Sequence, residues 1–277
     1  MKTIATDLLS YRFAGAPKLS PDGRACAFLL WRCRADGSGY DSFVNMLALP
    51  GGEPVPVAAP QGCTSVAWLT DGSLACALPV PDGTALYAVS RDGACRPWGT
   101  AAFGVRIVDG TADGRLLLSA DRPVTGEKAA EDGRFTVVDE FPFWYDGRGF
   151  ISKVRKQLFL MAEGGRPRQI SPAAMDVAHA AYDRTGNRVV FSGAVVDVLR
   201  PDWDALACYD VEAEALTLPV PGRQWRIRQV AALDGEPVMV ASGADDSYYA
   251  APSIIRVGED GGCTVLAAPD MHIANSV

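Results

Sequence analysis

Short apolar runs of five to eight residues follow glycine-containing turns at five places along the chain. The turns are Asp22-Gly23, Asp71-Gly72, Asp113-Gly114, Gly186-Asn187 and Asp234-Gly235. The runs that follow them are Ala25–Trp31, Leu74–Val80, Leu116–Ala120, Val189–Val196 and Pro237–Ser242. Asp-Gly and Gly-Asn supply the positive φ that tight hairpin loops need. The pattern therefore predicts five hairpins, near residues 22, 71, 113, 186 and 234.

A second apolar run and a second glycine-rich or acidic turn complete each repeat, which predicts four strands per repeat. The inner runs are almost continuously apolar, as expected for strands covered on both faces. Strands between the neighbouring blades of a propeller have this property. We therefore predict an all-β fold, a β-propeller of four-stranded blades with about five blades present, in an incomplete or small ring. A β-sandwich is the alternative, but it does not require the same turn chemistry five times in the same order.

One repeat is longer than the others. The interval from the inner to the outer turn is 21 to 28 residues in four repeats and 50 in the third. This difference predicts an insertion at about residues 121–156, within a propeller domain of residues 1–270. Insertions in repeat proteins form loops on one face, which is often the binding face.

Charge and cysteine content narrow the class of protein. The 26 basic and 33 acidic residues give a net charge of −7. Nucleic acids and anionic membranes bind basic surfaces, so we expect neither as a partner. The first ten residues lack the apolar core of a signal peptide, and no run is long enough to span a bilayer. Seven cysteines, an odd number without a Cys-x-x-Cys pair, predict a reduced, cytoplasmic protein.

The sequence offers no catalytic apparatus. No glycine has a serine two positions later, so the Gly-x-Ser-x-Gly nucleophile elbow is missing. Of the two histidines, we expect His179 to be packed or to cap a strand, because it has no spaced partner. The cysteines and histidines lack zinc-ligand spacing, and no phosphate loop or dinucleotide fingerprint occurs. We therefore predict no catalytic residue, no metal and no cofactor.

The insertion contains the one segment of unusual composition, residues 138–150, with five aromatic residues among thirteen. Packing of these aromatics over the third and fourth blades is one interpretation. The other is a surface that meets another domain or the end of a peptide, because aromatic residues and arginine are enriched at interfaces. Carboxylates there could hold an arginine or an amine. The candidate contact residues are Asp139, Glu140, Phe143, Trp144, Tyr145 and Arg148.

Three segments together resemble the N-terminal propeller of the prolyl oligopeptidase family of serine peptidases, in its acylaminoacyl-peptidase and dipeptidyl-aminopeptidase-like branch. Residues 17–24, followed by Cys26-Ala27-Phe28, are similar to that family's first-blade motif. Residues 139–150, followed by Gln157–Leu160, are similar to its insertion of Asp-Glu, aromatic residues and proline. Residues 165–171 are similar to the turn that leads to its next blade.

The resemblance implies a propeller that is followed by an α/β-hydrolase domain with a Ser-Asp-His triad and that admits only short peptides. This chain has five repeats where the family usually has seven, and no position matches a triad residue. We therefore expect a chain that is inactive alone, truncated or with its hydrolase domain separately encoded, and residues 271–277 leading into a missing blade. End blades without neighbours would favour self-association. The hypotheses are a propeller that gates peptide access to a hydrolase, or a stand-alone protein-interaction scaffold.

Overall fold

The computed structural model describes residues 9–124, 138, 140–146, 149–247 and 249–269. Within those residues the regular structure consists of 21 β-strands, without an α-helix. Three of the antiparallel sheets have the four strands of a propeller blade, and the predicted all-β propeller fold is confirmed. In the described part of the chain no helix has the length and apolar character needed to cross a membrane.

The first three sheets have four strands each. The first contains, in spatial order, β1 (Arg12–Leu19), β2 (Ala25–Cys33), β3 (Tyr40–Ala48) and β4 (Val55–Pro56). The second contains β5 (Ser65–Trp68), β6 (Leu74–Val80), β7 (Gly83–Val89) and β8 (Cys95–Ala101). The third has the order β14-β13-β10-β9, with β9 (Arg106–Gly110), β10 (Leu116–Pro123), β13 (Val154–Met161) and β14 (Arg168–Gln169).

The predicted insertion lies between β10 and β13 in the chain. It contains a small hairpin of β11 (Trp144–Tyr145) and β12 (Gly149–Phe150), in which Trp144 pairs with Phe150. Residues 125–137, 139 and 147–148 of the insertion, and the predicted lead into a further blade at 271–277, lie outside the described residues.

The last two repeats share one sheet of seven strands, where the sequence predicted two separate four-stranded blades. Its strands follow one another in chain order: β15 (Met175–Asp183), β16 (Arg188–Val195), β17 (Asp204–Asp210), β18 (Ala215–Leu233), β19 (Glu236–Gly243), β20 (Ser253–Val257) and β21 (Cys263–Ala267). The first part of β18 pairs with β17 and the last part pairs with β19. Because no chain reversal interrupts its 19 residues, β18 completes the fourth repeat and begins the fifth.

All five predicted hairpin turns join the expected strands, but similar dipeptides adopt different geometries. In the Asp71-Gly72 turn the Gly72 N–H donates to the Leu69 carbonyl (3.0 Å), and the Asp71 carboxylate accepts the Ser73 N–H (2.9 Å). Positive φ at Gly72 (+79°) makes this a type I turn with a following bulge. Asp234-Gly235 instead forms a two-residue turn in which both φ angles are positive, 52° and 82°, as in type I′.

Two compact units divide the chain. The first comprises residues 1–120 and 160–168, and the second comprises residues 121–159 and 169–277. The core of the first unit is a cluster between the first two sheets that includes Ala27, Leu29, Val66, Trp68 and Cys76. The Trp68 indole N–H donates to a carbonyl of β1 (2.8 Å) and so fixes β5 against that strand.

The core of the second unit lies against the shared strand β18. It includes Leu206 from β17, Ile227 from β18 and Met239 from β19, of which Leu206 and Met239 are completely buried. The Asp204 carboxylate accepts the Ile227 N–H (2.9 Å), and burial raises the pKa of this carboxyl above its usual value. The segment of β18 that pairs with β17 and the segment that pairs with β19 thus contribute to the same core.

The predicted cover on both faces of the inner strands is only partial for β2. Ala27 and Leu29 are buried, whereas Phe28, Leu30 and Trp31 are only partly buried. A cavity of about 590 Å³ on the first sheet is lined in part by Phe28 and Leu30. The apolar run forms a strand as predicted, but one face of this strand is only partly buried.

Candidate functional site

The structure describes the side chains of three of the six predicted contact residues. Asp139 and Arg148 lie outside the described residues, and Tyr145 is placed through its backbone in β11. The structure describes both backbone and side chain for Glu140, Phe143 and Trp144, which lie in the second unit. These three differ sharply in surroundings, because Glu140 is almost buried while the two aromatic residues are exposed.

Glu140 is held by groups of its own chain. Its carboxylate accepts the Lys153 N–H (2.6 Å) and pairs through both oxygens with Arg155, with Nη1 at 3.1 Å. The side chains of Glu140 and Arg155 are only 10% and 4% exposed. Buried charges persist in proteins when they are paired and hydrogen-bonded. The pair therefore fixes the insertion to the start of β13.

A second ion pair continues this anchoring. The Asp176 carboxylate on β15 accepts the Lys156 N–H (2.7 Å) and pairs with Arg200, from the loop between β16 and β17. The Arg200 backbone N–H donates to the Phe141 carbonyl (2.9 Å), and the Phe141 N–H donates to the Val198 carbonyl (3.0 Å). The insertion is thus tied to β13 through Glu140 and to the β16–β17 loop through Phe141.

Sequence reasoning missed Arg155, Asp176 and Arg200. A signal for Arg155 was present, because the basic run Lys153–Lys156 directly follows the acidic insertion. No comparable signal links Asp176 with Arg200, since the two lie on separate elements and only the tertiary structure brings them together.

Four aromatic side chains of the insertion are exposed, and we call them the aromatic surface. Phe141 is 63% and Trp144 is 57% exposed. The Phe143 and Phe150 rings lie 6.4 Å apart in a tilted arrangement, and both remain partly open to solvent. The Ile151 N–H donates to the Phe143 carbonyl (2.8 Å), which orders the hairpin beneath the rings. The aromatic surface consists of Phe141, Phe143, Trp144 and Phe150.

This exposure bears on the two interpretations of the segment. Aromatic side chains that serve as core bury most of their area, whereas Phe141 and Trp144 leave more than half of theirs exposed. Contiguous exposed apolar groups mark surfaces that meet other molecules. A surface anchored below by buried ion pairs is already ordered, so little conformational entropy is lost when a partner binds.

His179 lies half-buried in β15, where burial and, secondarily, Lys156 lower its pKa. Within the described ranges no three His, Cys, Asp or Glu side chains are grouped to hold a metal ion. The geometry of the insertion suits contact with another molecule.

Similar folds occur in solved peptidase structures, although a scan against protein-family models and a search of curated proteins find no match. The chain is similar to acylaminoacyl peptidase from Pyrococcus horikoshii, with a TM-score of 0.68 and 14% identity, over 93% of this chain and 40% of that one. It is also similar to prolyl oligopeptidase B from Galerina marginata, with a TM-score of 0.58 and 12% identity, over 96% of this chain and 36% of that one.

The beta-propeller domain of the trilobed protease from Pyrococcus furiosus matches over most of both chains. Its TM-score is 0.50 at 10% identity, and the match covers 94% of this chain and 85% of that domain. At these identities the likeness establishes the propeller fold. This chain spans well under half the length of the acylaminoacyl peptidase and prolyl oligopeptidase B chains.

Proposed function

We propose that this chain is the non-catalytic propeller component of a serine peptidase of the acylaminoacyl or dipeptidyl peptidase type. It docks on an α/β-hydrolase domain and limits access to that domain to short peptides. The observation that carries the proposal is the aromatic surface, which is exposed to solvent yet anchored by the Glu140–Arg155 pair. Two similar folds support the proposal, because they belong to longer peptidase chains. This chain matches less than half of their length.

The six predicted residues divide into two roles under this proposal. Phe143 and Trp144 bury their rings against the hydrolase domain, because aromatic side chains dominate the energy of interfaces. Asp139, Tyr145 and Arg148 extend the same contact or bind the end of a peptide. Glu140 is a positioning residue, since Arg155 and Lys153 already engage its carboxylate.

The test begins with the DNA downstream of codon 277. A reading frame that encodes Gly-x-Ser-x-Gly supplies the hydrolase domain, which is then expressed and mixed with this chain in sedimentation or calorimetric titrations. Trp144→Ser should weaken the complex at least about tenfold, because a buried tryptophan anchor contributes about 2 kcal/mol or more. Tyr249→Ser is the matched control, as Tyr249 is an aromatic residue of the same unit that is 80% exposed. Equal affinity of the two variants would contradict the assignment of the surface.

Activity measurements test the gating part. The hydrolase domain alone should cleave both chromogenic aminoacyl substrates and an unfolded protein chain. Addition of this chain should suppress cleavage of the long substrate and leave that of the short one. This chain alone should give no turnover, and serine-dependent hydrolysis by it would overturn the non-catalytic assignment.

The second candidate function is a stand-alone protein-interaction scaffold, and one observation favours it. The open face of the first sheet, with Phe28, Leu30 and Phe43 around a cavity of about 590 Å³, could receive another protein or a second copy of this chain. Exposed apolar patches of this kind favour association. Absence of any hydrolase partner together with concentration-dependent dimerisation would favour the scaffold.

We also propose that the protein works in the cytoplasm. All seven cysteines are free thiols, two of them exposed, and free exposed thiols persist in reducing compartments. Fractionation of cells that express the tagged full-length protein tests this proposal.

A further inference from the structure

A cavity of about 450 Å³ opens on the second unit, between the β16–β17 loop and the middle of β18. Its walls include Leu199 and Trp203 from the loop and Pro221 from β18. Ligand sites are commonly about 300–1,000 Å³ in volume and mostly apolar, with a few polar groups that orient the ligand. At ~30 Å³ per water in the liquid, this volume corresponds to roughly 15 waters. The cavity is therefore large enough for a small organic molecule.

Two opposite charges line this cavity without partners. The side chains of Asp197 and Arg223 make no hydrogen bond or ion pair with any residue that the structure describes. Nearby charges behave differently, because Arg226 pairs with Asp202 at 2.8 Å and Arg200 pairs with Asp176. Unpaired charges of both signs at one cavity, whose walls are only partly apolar, leave a carboxylate and a guanidinium available to a ligand.

The backbone at Arg223 is in an unusual conformation. Gly222 and Arg223 have φ values of +122° and +67°. A Cβ at Gly222 would make only an ordinary contact, 3.5 Å from Cδ1 of Trp203, so the positive φ and not a lack of space favours glycine there. Left-handed conformations are uncommon for residues other than glycine, asparagine and aspartate, and such strain concentrates at functional sites. Glycine or asparagine would occupy position 223 at lower cost, but neither supplies a guanidinium.

We propose that this cavity binds the zwitterionic form of a short unblocked peptide or free amino acid with an apolar side chain. Asp197 pairs with the ligand's ammonium group and Arg223 with its carboxylate, which guanidinium groups bind through two parallel hydrogen bonds. Trp203, Leu199 and Pro221 contact its apolar side chain. Asp197 would repel a simple anion and Arg223 would repel a simple cation, so a ligand that carries both charges is favoured.

The cavity is lined by none of the six predicted contact residues, and binding there needs no hydrolase partner. Failure of the docking experiment would leave it untouched, and its own failure would leave the docking proposal standing.

The experiment is isothermal titration of the full chain with the dipeptide Ala-Phe, alongside N-acetyl-Ala-Phe and Ala-Phe amide. We expect saturable binding of Ala-Phe, and affinity at least about tenfold lower for each blocked form, because each loses one charge-assisted pair. Asp197→Asn should remove the preference for the free ammonium group. Arg223→Gln should remove the preference for the free carboxylate. Glu53→Gln and Arg106→Gln, which change exposed charges of the first unit, are matched controls and should bind as the native chain does.

Arg223→Gly separates ligand binding from folding. This variant should lose affinity for Ala-Phe by about tenfold or more, while its thermal midpoint stays equal or rises because glycine adopts positive φ without steric cost. Absence of saturable heat with Ala-Phe at millimolar concentrations, or equal affinity for the free and blocked peptides, would overturn the proposal. Unchanged affinity in both Asp197→Asn and Arg223→Gln would overturn it as well.

Discussion

The buried Glu140–Arg155 pair should be a principal anchor of the insertion, and removing its negative charge tests this. Glu140→Gln keeps the size of the side chain and an oxygen that can still accept the Lys153 N–H. It leaves the Arg155 guanidinium, 4% exposed and with its Nε already lacking a partner, as an unbalanced buried charge. Breaking a buried pair by removing one partner costs about 3–5 kcal/mol.

The assay is urea unfolding followed by circular dichroism and tryptophan fluorescence. With a slope of about 3 kcal/mol per M, a loss of about 3–5 kcal/mol lowers the unfolding midpoint of the second unit by about 1–1.7 M. The matched control is Glu163→Gln, which breaks the pair with Arg96, a pair whose two side chains are about half exposed. Exposed pairs contribute little, so the midpoint of this control should stay within experimental error of the native chain.

A double variant separates the buried charge from the loss of contacts. Adding Arg155→Met to Glu140→Gln removes the unbalanced charge, and apolar replacements of buried pairs are often close to neutral in stability. The double variant should therefore regain much of the stability that Glu140→Gln loses, which appears as a coupling energy between the two sites. If Glu140→Gln lowers the midpoint no more than Glu163→Gln does, or if the double variant is the least stable, the anchoring argument is refuted.

Three further predictions concern packing, pH and association. A Cβ at Gly110 would lie 2.1 Å from a backbone carbonyl of β5. Gly110→Ala should therefore lower the free energy of unfolding by about 1–3 kcal/mol. Gly104→Ala is the control and should leave it unchanged, because the space around Gly104 is open. Burial lowers the pKa of His179 in the folded protein. The free energy of unfolding should therefore fall as the pH drops below the pKa of the unfolded chain, about 6.5. His179→Gln should make the free energy of unfolding less dependent on pH between 7 and 5. Leu30→Gln on the open face of the first sheet should reduce self-association in sedimentation equilibrium, and an unchanged dimer fraction would contradict the assignment of that face.

Much of the fold could be predicted from the sequence because its signals are local. The inner strand of the second repeat was predicted as Leu74–Val80, and β6 has those bounds. Asp and Gly at a turn restrict only their own dihedral angles and their neighbours' hydrogen bonds. An apolar run of strand length requires burial whichever sheet covers it. Both signals act within a few residues, so they can be read without knowing the rest of the molecule.

The candidate site could be predicted only in part. The composition of residues 138–150 pointed to the correct segment, but it could not distinguish the buried Glu140 from the exposed Phe143 and Trp144. Burial of a side chain depends on its tertiary contacts. For Glu140 the contact is Arg155, which lies on the following strand, β13. The sequence likewise gave no indication that Asp197 and Arg223 line one cavity, because 26 positions separate them in the chain.

The sequence by itself determined that this protein is built from repeated antiparallel hairpins. It also determined the positions of the inner turns and the greater length of the third repeat. The tertiary structure decided that β18 serves two repeats, that one face of β2 is only partly buried, and which charges pair and which remain free. The physical reason is the range of each interaction. Turn geometry and strand formation are set by adjacent residues, whereas ion pairing and exposure depend on sheets and loops that meet only after the chain has folded.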